Sequence, residues 1–145
     1  MPHRFEHWEN PKIEDGIPTK FNWIVKGKEH FSLGYRTDIG AFSYINAKHG
    51  VIIEDYVQIG SHCSIYSVST IDNKHGPVYL KKNCRIGTHS AIMPNVTVGE
   101  NSIIGAFSYV DKDIPSGVIA MGIPARKIRP LSPERLKIIE KEVEP

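Results

Sequence analysis

Aliphatic residues recur at every sixth position, at Leu80, Ile86, Ile92, Val98, Ile104 and Val110, without a slip. The same step links Leu33, Ile39 and Ile45, and then Ile53, Ile59, Ile65 and Ile71. A second register runs beside the first. Four residues after each aliphatic stands a small or short side chain, at Thr37, Ser43, Val57, Cys63, Ser69, Cys84, Ser90, Val96, Ser102 and Ser108. Glycine follows the aliphatic directly at Gly34, Gly40, Gly60, Gly87, Gly99 and Gly105. A step of six fits neither the 3.6-residue period of a helix nor the strand length and turn spacing of a sandwich. It fits a triangular coil, in which each hexapeptide is one short parallel strand plus a tight turn, three hexapeptides close one coil, and stacked aliphatics fill the prism. The thirteen aliphatic positions make a little over four coils. The glycines are expected to supply turn conformations that other residues resist.

The chain of 145 residues suits a single domain. An irregular N-terminal segment is expected over 1–32, the coils over 33–115, and a tail with a short helix over 116–145. In the N-terminal segment Pro11 and Pro18 interrupt an aromatic stretch that is read as an irregular first coil. Its Trp8, Phe21 and Trp23 either cap the apolar end of the prism or stack on a base or sugar ring. At the other end Ser132 is a good helix N-cap, Pro133 suits the first helical position and Glu134 the positive terminus, while Leu136, Ile139 and Val143 share a face.

With 40% hydrophobic and 23% charged residues, the composition is that of an ordinary soluble domain, and the apolar runs fall far short of a membrane span. The N-terminal residues show no apolar core of a secretory signal, so the expected location is cytoplasmic. A net charge of +2, with no dense basic stripe, argues against nucleic-acid binding. Cys63 and Cys84 are too few and too far apart for a disulfide framework or a CxxC metal site. Both fall in the small inward register, where free cysteine behaves as a small hydrophobe.

The step of six breaks twice. Two extra residues lie between Ile45 and Ile53, around "AKHGVI", and three between Ile71 and Leu80, around "DNKHGP". Each break carries a histidine followed by glycine. Insertions into a solenoid leave it as loops, where binding and chemistry collect. His75 is then either a functional group or a solvated turn residue beside Asn73, Gly76 and Pro77. His49 is a turn residue or fills the small slot of its repeat. His62 and His89, three after their aliphatics, are expected to face outward.

The array, with "NKHGPV", "CRIGTHSAIMPNVTVGENSIIGAFSYVDKDIP" and "AMGIPARKIR" in that order, resembles the left-handed β-helix acyltransferases of the hexapeptide-repeat family. The resemblance covers roughly Leu33 to Arg129 and is strongest to the maltose, galactoside and sugar-nucleotide acetyltransferases. It implies an all-β, left-handed parallel β-helix with a C-terminal helix, and acetyl-CoA as cosubstrate with no metal. His75 matches the family's general base, a role that imidazole fills because it titrates near neutral pH. Thr88 matches the position whose backbone amide meets the developing oxyanion. Asn46 matches an acceptor contact, and the acidic pair Glu54 and Asp55 falls near another. Arg85 stands where galactoside-type enzymes carry tryptophan, which alters acceptor or cofactor packing there. Ala106 is implied as a backbone contact to the pantetheine arm, with Lys112, Arg126 and Arg129 as phosphate contacts. The family's threefold assembly implies a homotrimer with sites between subunits.

The expected activity is acetyl transfer from acetyl-CoA to a sugar amine or hydroxyl, with a nucleotide-linked sugar for surface-glycan synthesis as the favoured acceptor. Direct attack is expected rather than an acyl-enzyme, since both cysteines are assigned to the core. Two alternatives share the repeats. A γ-class carbonic anhydrase would need three zinc-binding histidines, for which only His62, His75 and His89 offer themselves, without the closely spaced pair such a site uses. A non-catalytic scaffold would leave His75 and the basic tail unexplained.

Overall fold

The repeats close into a three-faced parallel β-helix in the computed structural model, which describes residues 7–143. The first six residues, part of the stretch read for a secretory signal, and the last two lie outside the described residues. Face one stacks Ile24–Lys26, Tyr44–Asn46, Ser64–Tyr66, Ala91–Ile92 and Tyr109–Val110. Face two stacks Phe31–Leu33, Val51–Ile53, Val78–Leu80 and Thr97–Val98. Face three stacks Asp38–Ile39, Gln58–Ile59, Arg85–Ile86, Ile103–Ile104 and Val118–Gly122, and ends in the antiparallel strand Ala125–Pro130.

Parallel register sets each aliphatic above its counterpart one coil below, as in Ile45 beside Ile65 and Ile65 beside Ile92. Ile45, Ile53, Ile65, Leu80, Ile92 and Ile104 are fully buried, each contributing roughly 1.5–3 kcal/mol of apolar burial. The second register is buried as well, at Thr37, Ser43, Val57, Cys63, Cys84, Ser90, Val96, Ser102 and Ser108. Two of its hydroxyls are satisfied by carbonyls of the next coil: Ser43 Oγ donates to Gly60 O at 3.1 Å and Ser90 Oγ to Gly105 O at 3.2 Å.

Three expectations change. The solenoid is wider than 33–115, because Ile24–Lys26 and Val118–Gly122 pair into faces one and three. Ile71 is 96% exposed and has no place in the core. With Ser69, it belongs to a hairpin in which Val68–Ser69 pairs with Lys74–His75. Thirteen residues separate Ile65 from Val78 on adjacent faces, where six separate Ile45 from Val51, so the excursion begins before Ile71.

The glycines serve a different purpose from the one expected. Left-handed φ falls instead on the residue three after the aliphatic, at Phe42, Tyr56, His62, Asn83, His89, Asn95, Asn101 and Phe107. Glycine is needed because successive coils touch there. A Cβ on Gly99 would lie 2.5 Å from Pro115 C and 2.6 Å from Ser116 Cα, and one on Gly87 would lie 2.5 Å from Ala106 N. These are backbone atoms that cannot rotate away. Gly99→Ala is therefore expected to cost about 3 kcal/mol, at the upper end of overpacking, and to lower Tm by roughly 10 °C in calorimetry. An unchanged Tm would mean that the coils have slack.

Trp23, 2% exposed, joins the core at the N-terminal end of the prism. Trp8 donates its indole N–H to Thr37 O at 2.8 Å, while Phe21 stays exposed under the Lys20 ammonium. The C-terminal helix, Pro133–Lys141, starts at Ser132, whose side chain accepts from the Arg135 N–H at 3.2 Å. It buries Ile139 with Leu136 and Val143 half-buried, and it is tied to the prism by Asn83 Nδ2 donating to Ile139 O at 3.2 Å and by Arg85 with Glu142 at 2.7 Å. Among the described residues, no helix is long and apolar enough to cross a membrane.

Candidate active site

The chain order distributes the expected site residues over all three edges of the prism. Asn46, His49 and His75 stand where face one turns into face two, and Glu54 and Asp55 where face two turns into face three. Thr88 and Ala106 stand where face three returns to face one. Within one chain, His75 and Thr88 are therefore kept apart by the width of face one. Arg85 lies on face three, Arg126 and Arg129 on its last strand, and Lys112 just past the last strand of face one.

His75 is exposed at the base of its hairpin and is gripped through its backbone and ring. Asn95 Nδ2 donates to its carbonyl at 2.8 Å, and its ring stacks on His49 with centroids 4.8 Å apart and 26° between planes. The next N–H, of Gly76, donates to Ser67 O at 2.8 Å and closes the hairpin against the prism. The hairpin overhangs face one and encloses a cavity of about 540 Å³ with Asn46, Tyr66, Ala91, Met93 and Tyr109. Its own contribution to the wall is Val68–Asp72. The Ser69 hydroxyl, and then Lys74 at 3.5 Å, hold the Asp72 carboxyl below the usual carboxylate range.

On the opposite edge of face one, the N–H groups of Thr88 and Ala106 have no acceptor among the described residues, whereas their neighbours His89 and Phe107 donate to the carbonyls of Ser61 and Thr88. The Thr88 hydroxyl donates to Ser61 O at 2.8 Å and so accepts a hydrogen bond from His89 Nδ1, also at 2.8 Å, which assigns the N–H to Nδ1. His62 and His89 face outward as expected, in an unforeseen aromatic column with Phe42 and Phe107. Their rings stack at 4.7 Å and 6°, and His89 stacks on Phe107 at 4.9 Å.

The remaining candidates have partners inside the chain. Glu54 pairs with Lys81 at 3.2 Å and accepts from the Lys82 N–H, and Asp55 accepts from the Tyr35 N–H at 2.9 Å. Arg85 anchors the helix, and Arg126 pairs with Asp111 at 3.5 Å. Lys112 and Arg129 are exposed. Both thiols are buried, and burial pushes their pKa up, most strongly at Cys84. Neither is suited to act as a nucleophile. The histidines a zinc site would need are divided between two edges, His75 on one and His62 with His89 on the other. Among the described residues, no group of three or more His, Cys, Asp or Glu is placed to hold a metal.

This architecture defines a hexapeptide β-helix that carries a histidine hairpin. Residues 77–112 match the family described as bacterial transferase hexapeptide (six repeats). It is 38% identical over 127 residues to the galactoside O-acetyltransferase of Escherichia coli K12, an alignment covering 77% of this chain and 62% of that protein. The chain thus spans less than two thirds of that relative's length. Among solved structures, a galactoside acetyltransferase in complex with coenzyme A superposes with a TM-score of 0.72 at 29% identity, covering 79% of this chain and 62% of the other. An N-acyltransferase from Bacillus cereus, AntD, in complex with dTDP and coenzyme A superposes at 0.70 with 26% identity, covering 82% and 72%.

Proposed function

We propose that the protein is an acetyl-CoA-dependent acetyltransferase acting on a sugar hydroxyl or amine, with a nucleotide-linked sugar as the favoured acceptor. The observation that carries this reading is the presence of two complementary groups on the edges flanking one face: an exposed imidazole at His75, and N–H groups at Thr88 and Ala106 that have no acceptor among the described residues. Acyl transfer needs both. The acceptor lone pair attacks the thioester carbonyl while His75 takes the acceptor's proton. Negative charge develops on the carbonyl oxygen, where the Thr88 N–H donates. The C–S bond then breaks, and the departing coenzyme A thiolate recovers the proton from the imidazolium.

Because the two edges of one chain are separated, the reading requires a threefold assembly in which His75 of one subunit faces acetyl-CoA on the edge of the next. The amide-rich pantetheine arm pairs with the N–H of Ala106, and Lys112, Arg126 and Arg129 meet the phosphates. Asn46, which lines the cavity beside the hairpin, orients the acceptor. Glu54, Asp55 and Arg85 reach an acceptor only by exchanging their present partners. Complexes of related enzymes with coenzyme A, one of them also with dTDP, support the donor and the lean towards a nucleotide-linked acceptor.

The test is thiol release from acetyl-CoA by the purified protein against nucleotide-linked amino sugars, nucleotide-linked neutral sugars and free disaccharides. Acceptor-dependent release is expected, and the productive class decides nitrogen against oxygen. The absence of both thiol release and acetyl-CoA binding would sink the reading.

A further inference from the structure

His75 is held from the coils on both sides. On one side its ring lies against His49, 4.8 Å away and 26° from parallel. On the other, Asn95 donates to the His75 carbonyl at 2.8 Å and fills the space that a side chain at Gly76 would need. His49 is fixed in turn: its N–H donates to Ser67 Oγ at 2.9 Å, and Ser67 Oγ donates to Asn46 O at 2.7 Å. The imidazole pair is thus built into the edge, one member on each of two successive coils. Both insertions carry His-Gly because both present a ring at the same corner.

We propose that His49 is a positioning residue for His75 that orients its ring and shares its charge; this rests on the catalytic role given to His75 above. Stacking fixes the plane of the His75 imidazole and so the direction of its basic nitrogen, which is what an in-reach base requires. When His75 takes the acceptor's proton, the imidazolium lies over the face of a neutral aromatic ring, a favourable arrangement for a cation. The charged groups on the surrounding elements are Lys48 beside His49, Lys74 and Asp72 on the hairpin, and Lys28, Glu29 and His30 on the turn below. Ser67, Pro77 and Asn95 are uncharged.

The test measures kcat and the acetyl-CoA KM of the full-length protein and of two variants at His49, one of which, His49→Phe, keeps a stacking plane. His49→Ala is expected to lower kcat by roughly tenfold with the acetyl-CoA KM unchanged, and His49→Phe to restore most of that loss. Full turnover in His49→Ala, or a loss that His49→Phe does not restore, would overturn the positioning role. His75→Ala separates the two failures. Undiminished turnover in that variant removes the base and its positioning residue together, whereas turnover lost in His75→Ala but intact in His49→Ala removes the positioning role alone.

Discussion

His75→Ala is expected to lower turnover by about a hundredfold or more with a hydroxyl acceptor, the range for losing a general base. A sugar hydroxyl is a weak nucleophile at neutral pH, so its proton must leave as the new C–O bond forms. With an amine delivered in its neutral form, attack precedes proton loss and the deficit is smaller. The size of the loss therefore also reports on the acceptor atom. Acetyl-CoA affinity should hold, because the hairpin lies on a different edge from Thr88 and Ala106. The fold should hold too: the side chain is exposed, and the contact from Asn95 is to the backbone carbonyl, which alanine keeps. An unchanged rate with a verified hydroxyl acceptor would take His75 out of the mechanism.

The prism was legible because six-residue periodicity is local, and stacking converts it directly into burial. Ile71 shows the limit of that logic. It stands six after Ile65, as a core residue should, yet the chain has already left the prism at Val68. Periodicity counts positions and cannot tell a coil from a hairpin of matching length. A usable signal for the turns was present in the asparagines at Asn83, Asn95 and Asn101, three after their aliphatics, since asparagine tolerates left-handed φ. The glycines that follow the aliphatics elsewhere have a different reason, which is contact between coils. The edges on which His75 and Thr88 stand were not readable, because counting Ile71 as a coil position shifts every later hexapeptide by one face. The clamp from Arg85 to Glu142 was not readable. It joins residues 57 apart and depends on where the helix docks.

Thr88→Pro is expected to lower kcat by about 10²- to 10³-fold, the usual consequence of removing one donor to a developing oxyanion. Proline is the informative substitution because the proposed donor belongs to the backbone: Thr88→Ala keeps the N–H and loses only the hydroxyl. The turn itself accepts proline. Thr88 precedes His89 at φ 58°, and in the equivalent turn Pro94 already precedes Asn95 at φ 67°. Proline suits the first central position when the second is left-handed. The hydroxyl is not idle, since it bonds to Ser61 O and His89 Nδ1, so Thr88→Ala should show a mild loss of stability and leave most of the turnover. The contrast between the two variants isolates the N–H. A loss in kcat for proline beyond that of alanine, with acetyl-CoA binding retained, marks a donor that acts mainly on the transition state. A loss confined to acetyl-CoA affinity would instead make Thr88 a contact to the pantetheine arm, as proposed for Ala106. Equal turnover in the two variants would place the oxyanion elsewhere.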